Sequence, residues 1–214
     1  MKLDLILIGG GGHCKSCIDV IEFENKFNII GILDLPINVG NKINNYEIIG
    51  IDNDIEKYLS KNVYFFITIG QIENVFIRKK LFNQLIKFNA KIATIISPSA
   101  YVSTKSKVGI GTIIMHKCVI NSGVMIGDNS IINTLSNIEH DVKIGNHTHI
   151  STGAMINGDC IIGNEVFVGS NSTISNQIKI SDKSIIGAAS YVNRDIEKAD
   201  IYAGIPVTKI KSQK

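Results

Sequence analysis

The run Glu139-His140-Asp141 is the strongest candidate for chemistry in this sequence. Histidine has an ordinary pKa near neutrality, so it can take up and release a proton under physiological conditions. An adjacent carboxylate can orient the ring and stabilise its protonated form. We therefore interpret His140 as a general base. The alternative is a solvated surface histidine, which is what an isolated His between two acids usually is.

A second cluster lies near the amino terminus, where glycines at residues 9–12 precede His13. Glycines allow close backbone approach to a ligand, and a helix behind them offers N–H groups to a phosphate. Asp34 follows the next apolar strand, about 20 residues on, as in nucleotide-binding βαβ units. The dinucleotide fingerprint is incomplete, because Cys14 stands where its third glycine belongs. A tight strand-to-helix turn without a ligand is the alternative.

A six-residue repeat predicts the element that positions the first cluster. Every sixth residue from Val102 to Val192 is Val or Ile, and the residues four places after them are mostly small. This period fits neither a helix nor a simple strand and indicates a repeat fold. The small and aliphatic positions face inward and the others turn a corner. Three hexads therefore close a triangular coil of 18 residues.

The register of these coils places Gly158 over His140 at one corner, where its N–H could stabilise an oxyanion. Asn133 falls at a different corner, so we expect it to meet His140 only across two neighbouring chains. Cys118 and Cys160 fall at inward positions and are predicted core residues. Cys14 and Cys17 form a lone CxxC on a predicted helix, for which neither a zinc site nor a redox pair is expected.

Residues 1–97 predict a small α/β domain with a Rossmann-like parallel sheet, and residues 98–214 predict the prism with a C-terminal tail. A short helix is predicted at 195–199, where the prism should have ended. The other predicted helices follow the glycine turn and cover 53–59 and 73–88; the predicted strands are Leu3–Ile8, 28–33, 45–50, 63–69 and 91–96.

The hexads resemble those of the hexapeptide-repeat acyltransferases, whose prisms are left-handed β-helices. Further motifs extend the resemblance to both domains. They are the GGGGH turn, Asp34, Gly70 before IENVFIRKKL, the NTLSNIEHD and NHTHIS runs and the AGIP turn. The whole chain resembles the bacterial nucleotide-sugar and sialic-acid acetyltransferases, in particular the UDP-4-amino-sugar N-acetyltransferases of bacillosamine biosynthesis.

This resemblance implies direct acetyl transfer from acetyl-CoA, a co-substrate and not a tightly bound cofactor, to a sugar amine, with no metal. His140 would be the base, Asp141 would orient it and Gly158 would donate the oxyanion hydrogen bond. The implied substrate-binding residues are Gly11, Gly12, His13, Asp34, Gly70, Asn133 and Glu139. The implied acetyl-CoA-binding residues are His149, Gly158, Gly187, Gly204, Pro206 and Lys209.

Two other functions remain open, O-acetylation of a sialic-acid-type sugar and a non-catalytic trimeric scaffold or regulator. A net charge of +3 with scattered basic residues does not support a nucleic-acid partner. The apolar runs are too short to insert in a membrane, and we expect a cytoplasmic protein. Apolar outward positions predict a homotrimer with active sites between subunits, namely Ile113, Val119, Met125, Ile131, Met155, Ile161 and Phe167.

Overall fold

The computed structural model describes residues 2–212, except the side chains of residues 60 and 61. The chain divides into two compact units. The first runs to Gly70 and resumes over Phe76–Ile96, and the second comprises Gln71–Val75 and the chain from Ser97 onward. The structure thus assigns Gln71–Val75 and Ser97 to the second unit, whereas the sequence predicts them in the first. The outer ends of the predicted domains, at residues 1 and 214, lie outside the described residues.

The first unit is an α/β sandwich. Its sheet has the order β3-β4-β2-β1-β5-β6, parallel except for the β3 and β4 pair. Short 3₁₀ helices cover Pro36–Asn38 and Asp52–Lys61. The remaining elements are β1 (Leu3–Ile8), α1 (Gly12–Glu24), β2 (Phe27–Asp34), β3 (Lys42–Ile43), β4 (Tyr46–Ile51), β5 (Tyr64–Ile67), α2 (Phe76–Lys87), β6 (Lys91–Ile92) and a separate strand β7 (Ile95–Ile96).

Strand β1 forms the centre of this unit. Residues 5–8 have no exposed side-chain surface, because helices cover both faces of a parallel sheet. The chain continues to β2 on one side of β1 and reaches β5 on the other. The turn after β1 therefore lies at the point where the strand order reverses, which is where open α/β sheets bind ligands.

Two predicted elements of this unit differ most from the structure. Helix α2 begins at Phe76 instead of residue 73, because Gln71–Val75 belongs to the second unit. The predicted strand 91–96 is split into β6, which pairs with β5, and β7. Apolar periodicity does not reveal such breaks, because the residues on both sides of each break are apolar.

The second unit is a triangular parallel β-helix of two-residue strands, which confirms the hexad interpretation. Strands of successive coils pair in register, 18 residues apart, on three faces. Face A contains Ile113–Ile114, Ile131–Ile132, His149–Ile150, Phe167–Val168 and Ile185–Ile186; face B contains Tyr101–Val102, Val119–Ile120, Asn137–Ile138, Met155–Ile156, Thr173–Ile174 and Tyr191–Val192; face C contains Lys107–Val108, Met125–Ile126, Lys143–Ile144, Ile161–Ile162 and Lys179–Ile180.

The small inward residues pair the backbone groups of the corners. The buried hydroxyl of Thr148 donates to the Gly163 carbonyl at 2.8 Å and accepts from the Val166 N–H at 3.2 Å. A second ladder runs outside the corner between faces C and A. There the Asn146 carboxamide oxygen accepts from the Asp128 N–H at 2.8 Å, and Asn164 does the same for Asn146 at 2.9 Å. Side chains thus complete hydrogen bonds that two-residue strands leave unmade.

The prism does not end at Val192, and the predicted helix at 195–199 is wrong. Ile196 is buried, pairs with Ile180 and exchanges backbone hydrogen bonds with Lys179 and Ser181. Strand β24 (Asp200–Ala203) then extends face A and turns back into β25 (Thr208–Ser212). The exposed backbone of the last full coil needs partners, and this requirement outweighs the weak helical pattern.

Three of the seven apolar residues predicted for a subunit interface are already buried within the chain. Ile113 and Ile131 have no exposed surface and Phe167 retains 9%. The other four remain partly exposed: Val119 and Met155 on face B, and Met125 and Ile161 on face C. The case for an oligomer therefore rests on faces B and C.

We expect Thr148→Val to lower the stability of the fold by about 1–3 kcal/mol, because it keeps the side-chain volume but leaves the Gly163 carbonyl and the Val166 N–H buried without this partner. Thermal unfolding of the purified variant measures the loss.

The matched control is Thr152→Val, in which the altered side chain is exposed at another corner. Its stability should stay within about 0.5 kcal/mol of wild type. Equal unfolding midpoints for the two variants would contradict a stabilising role of the inward hydroxyls.

Candidate active site

His140 lies at the corner between faces B and C, directly after the strand Asn137–Ile138. Its Nδ1 lies 3.0 Å from Oδ2 of Asp141, and both side chains are largely exposed. A carboxylate only accepts hydrogen bonds, so this contact favours a ring with hydrogen on Nδ1 and a lone pair on Nε2. Asp141 has a φ of 60°, and this corner conformation turns its carboxylate back toward the ring. The pair thus has the geometry of an oriented base.

Gly158 lies directly above His140, one coil later, as the register predicts. A Cβ at this position would stand 2.6 Å from Nε2 of His140, so only glycine leaves room for the ring. Among residues 2–212, no backbone carbonyl accepts from the Gly158 N–H. The imidazole nitrogen and an N–H donor therefore meet at one corner.

Glu139 is held by two amides that the sequence did not single out. The Nδ2 of Asn121 donates to one carboxylate oxygen at 2.8 Å, and the Nδ2 of Asn137 donates to the other at 3.0 Å. Asn121 precedes Glu139 by 18 residues, so the coil register could have revealed this contact. The carboxylate has a fixed orientation beside His140.

Asn133 lies at the corner between faces A and B, and the structure does not bring it to His140 within the chain. Its Nδ2 lies 3.3 Å from Nε2 of His149. His149 is an outward residue of face A, but it is only 7% exposed and its Nδ1 contacts the backbone oxygen of Gln71.

In the first unit, the glycine turn presents the amino end of α1. Gly11 is the N-cap residue, no side chain caps the helix, and its first turn contains no acidic residue. A Cβ on Gly11 or Gly12 would meet no atom within 4 Å, and both glycines are exposed. The open backbone and the positive end of the helix dipole suit a phosphate.

The other predicted residues of this cluster surround the turn. Asp34 ends β2, accepts a hydrogen bond from Nδ2 of Asn38 at 2.7 Å and would be 2.8 Å from a Cβ on Gly10. Gly70 faces His13, with 3.5 Å between its Cβ position and that of the histidine. Five predicted residues therefore lie together at the carboxyl edge of the sheet, namely Gly11, Gly12, His13, Asp34 and Gly70.

A buried arginine supports this edge and was missed from the sequence. Arg78 is 1% exposed and donates from one nitrogen to the carbonyls of Ile67 and Ile69, at 2.7 and 2.8 Å. Burial lowers its pKa to about 10. The Thr68 hydroxyl donates to Gly9 O at 2.5 Å. The ends of β1 and β5 are thereby fixed where the glycine turn begins.

Cys118 and Cys160 are core residues, as predicted. Cys14 and Cys17 are buried as well, and all four cysteines have free thiols. Burial raises the pKa of Cys14 to about 11, partly offset by a hydrogen bond with Thr68, and it also raises the pKa of Cys17. Burial raises the pKa of Cys118 to about 11 and that of Cys160 in the same direction. Such thiols are poor nucleophiles near neutral pH.

The C-terminal residues that the resemblance assigns to acetyl-CoA lie around the hairpin of β24 and β25. Gly187 donates to Tyr202 O, and a Cβ there would be 2.8 Å from the Ala203 side chain. Gly204 has a φ of 106° and Pro206 is exposed. Lys209 forms an ion pair with Asp200 at 2.6 Å.

Val207, the residue that follows the AGIP turn, is a core residue with 1% exposure. Its N–H donates to Tyr191 O at 2.8 Å, and its carbonyl accepts from Arg194 at 3.1 Å. These two backbone contacts therefore anchor the hairpin to the prism.

Comparison with family models agrees with this architecture. Residues 4–85 match the PglD N-terminal domain, and residues 125–158 and 141–176 match the bacterial transferase hexapeptide repeats. No curated protein matches the chain.

The solved structures extend the likeness to both units. The acetyltransferase domain of PglB from Neisseria gonorrhoeae FA1090 is 26% identical, with a TM-score of 0.89 over 97% of this chain and 99% of that one. PerB from Caulobacter crescentus, solved with CoA and GDP-perosamine, is 25% identical, with a TM-score of 0.90 over 97% of each chain. The PglB domain with acetyl coenzyme A, 24% identical with a TM-score of 0.90, shares the fold over 98% of this chain and 100% of that one.

The chain combines a PglD-type amino-terminal domain with the hexapeptide repeats of bacterial transferases. The predicted fold class, an α/β domain followed by a left-handed parallel β-helix, is thereby confirmed. Within residues 2–212 of this hexapeptide transferase, no helix is long and apolar enough to cross a membrane. The described part of the chain also contains no group of three or more His, Cys, Asp or Glu side chains arranged to hold a metal ion.

In this transferase we expect Gly158→Ala to displace the His140 ring, because the added methyl would stand 2.6 Å from Nε2. A crystal structure of the variant should show the imidazole rotated away from Gly158 and its contact with Asp141 lost.

Asn157→Ala serves as the comparison, since it removes atoms at the preceding position instead of adding one. Its His140 ring should keep the wild-type position. An undisturbed ring in Gly158→Ala would show that the corner has more room than the structure indicates.

Proposed function

We propose that the protein transfers the acetyl group of acetyl-CoA to the amino group of a nucleotide-linked 4-amino sugar. The observation that carries this proposal is the corner where His140, oriented by Asp141, lies directly below Gly158. The likeness over both units to an acetyltransferase domain and to a structure holding CoA and GDP-perosamine supports the choice of co-substrate and acceptor.

The proposed mechanism is a direct attack by the sugar amine on the thioester carbonyl. Nε2 of His140 takes the proton that the amine loses, while Asp141 stabilises the imidazolium through Nδ1. Such a base contributes roughly 10² to 10⁴ in rate. The Gly158 N–H stabilises the oxyanion that forms on the former carbonyl oxygen. CoA leaves as the thiol by taking that proton back from the His140 imidazolium. No acyl-enzyme forms, because the cysteines are buried.

Glu139 favours an amine over a hydroxyl acceptor. Its carboxylate is fixed by Asn121 and Asn137 beside His140 and attracts an alkylammonium group, the form in which a sugar amine arrives at neutral pH. A hydroxyl acceptor gains no such attraction. N-acetylation is therefore our leading proposal, ahead of O-acetylation of a sialic-acid-type sugar.

The first unit would bind the nucleotide end of the acceptor. The amino end of α1, with Gly11 and Gly12, suits the diphosphate, and Asp34 suits the ribose hydroxyls. His13 and Gly70 complete that edge. UDP is the leading nucleotide and GDP is the second candidate, because the PerB structure contains GDP-perosamine. Since acetyl-CoA and nucleotide sugars are cytoplasmic metabolites, we propose that the reaction takes place in the cytoplasm of a surface-glycan-building cell.

We further propose a homotrimer with active sites between subunits. Partly exposed Val119, Met125, Met155 and Ile161 lie on faces B and C, where a neighbouring prism would cover them. Trimer formation would bring the Asn133 corner of one subunit to the His140 corner of the next. Acetyl-CoA would lie between them, against the tail residues Gly187, Gly204, Pro206 and Lys209.

The test of the activity incubates purified protein and acetyl-CoA with UDP-, GDP- and dTDP-linked 4-amino sugars, or with free sialic acid, and follows thiol release. We expect release with one nucleotide-linked amino sugar, and a loss of about 10²-fold or more in His140→Ala. His116→Ala, which alters a histidine at another corner, is the matched control and should remain active.

Turnover with sialic acid alone would favour O-acetylation, and the absence of thiol release with every acceptor would favour the scaffold. Full activity of a folded His140→Ala variant would remove this residue from the base role.

The proposed active site between subunits can be tested by complementation. His140→Ala and Asn133→Ala should each be inactive or nearly so, whereas their co-expression should restore roughly a quarter of the wild-type activity, since one site in each mixed trimer regains both residues. Mixing the two variants after purification, without subunit exchange, is the control. No recovery on co-expression would place both residues in one subunit's site or outside it.

A further inference from the structure

His149 is enclosed on face A of the prism. It pairs in register with Ile131 below and Phe167 above, and the Phe167 ring meets it edge-on with 5.2 Å between centroids. Only 7% of the residue is exposed. A histidine in such a place needs a hydrogen-bond partner at each ring nitrogen, because an unpaired buried polar atom is destabilising.

The partner of Nδ1 is the backbone oxygen of Gln71, at 2.5 Å. A carbonyl oxygen only accepts, so Nδ1 carries hydrogen. Gln71 is itself fixed, since it is 4% exposed and its Nε2 donates to His147 O at 2.6 Å. The segment Gln71–Val75 belongs to the prism unit through contacts of this kind.

A neutral imidazole with hydrogen on Nδ1 has an acceptor at Nε2. The Asn133 Nδ2 lies 3.3 Å from that nitrogen, while its Oδ1 accepts from the Thr134 N–H at 2.8 Å. These two contacts decide which end of the Asn133 amide is nitrogen and where each end points. One N–H and one oxygen lone pair of Asn133 remain for a ligand.

We propose that His149 is a positioning residue that fixes the Asn133 amide for the acceptor sugar, with Gln71 setting its tautomer. This role differs from the acetyl-CoA contact implied by the resemblance. Both ring nitrogens of His149 have protein partners, so the ring has no N–H to give to an acyl oxygen. The proposal rests on the proposed function, in which Asn133 contacts the sugar.

The test uses two substitutions of His149 to distinguish the roles of its two ring nitrogens. In His149→Asn, the amide nitrogen can replace Nδ1 toward Gln71, but the acceptor for Asn133 is lost. In His149→Gln, the longer side chain returns an acceptor near the Nε2 position. We expect His149→Asn to raise the KM for the nucleotide sugar about two- to tenfold while the KM for acetyl-CoA is unchanged, and His149→Gln to recover most of the loss.

A double-mutant cycle tests the route through Asn133. If His149 acts through Asn133, adding His149→Asn to Asn133→Ala should change the dissociation constant of the nucleotide sugar no further, as measured by calorimetry, which needs no turnover. Phe167→Leu, which removes the ring contact but no hydrogen bond, controls for packing and should leave the sugar KM unaltered. A crystal structure of His149→Asn should show the Asn133 amide turned from its wild-type orientation.

The outcomes distinguish this inference from the proposed function. Absence of wild-type turnover with every amino sugar would overturn the proposed function. If the wild type turns over, any of three results would overturn the positioning role. These are an unchanged sugar KM in His149→Asn, additive effects in the double mutant, and a rise in the acetyl-CoA KM instead of the sugar KM.

Discussion

The hydrogen bonds between backbone groups of successive coils are the constraint on which the transferase unit depends. Each two-residue strand is too short to be stable by itself, and it persists because the strand 18 residues later pairs with it in register. Inward Val and Ile side chains fill the interior, and inward hydroxyls such as that of Thr148 pair the corner carbonyls. Any residue of one coil is thereby fixed relative to the residue directly above it.

The candidate active site follows from that constraint. His140 is exposed, yet its ring position is restricted by Gly158 above it and by the contact with Asp141 beside it. Glu139 is fixed in the same way, by the amide of Asn121 from the coil below. A repeating scaffold thus positions polar side chains at a corner without a loop that would have to become ordered on binding.

In the first unit, side-chain hydrogen bonds to strand ends, and not a repeat, fix the ligand-binding edge. There the glycine turn follows a central strand whose end is hydrogen-bonded by Thr68, and the buried Arg78 holds the end of the neighbouring strand. An arginine inside an α/β sandwich is costly to bury, and its two carbonyl partners offset part of that cost. The backbone around Gly11 and Gly12 is therefore supported from below while its upper side stays open.

The sequence by itself determined the prism, its inward residues, the burial of Cys118 and Cys160 and the place of Gly158 over His140, because a fixed repeat converts sequence separation into spatial position. It also indicated the glycine turn and Asp34, since βαβ units order these features along the chain. Only the tertiary structure decided that Gln71 contacts His149, that Asn137 joins Asn121 at Glu139, that Ile196 continues the prism and that Val207 is buried. These contacts join segments outside the hexad register, or depend on side-chain directions within it, and no local pattern encodes which distant backbone group will meet them.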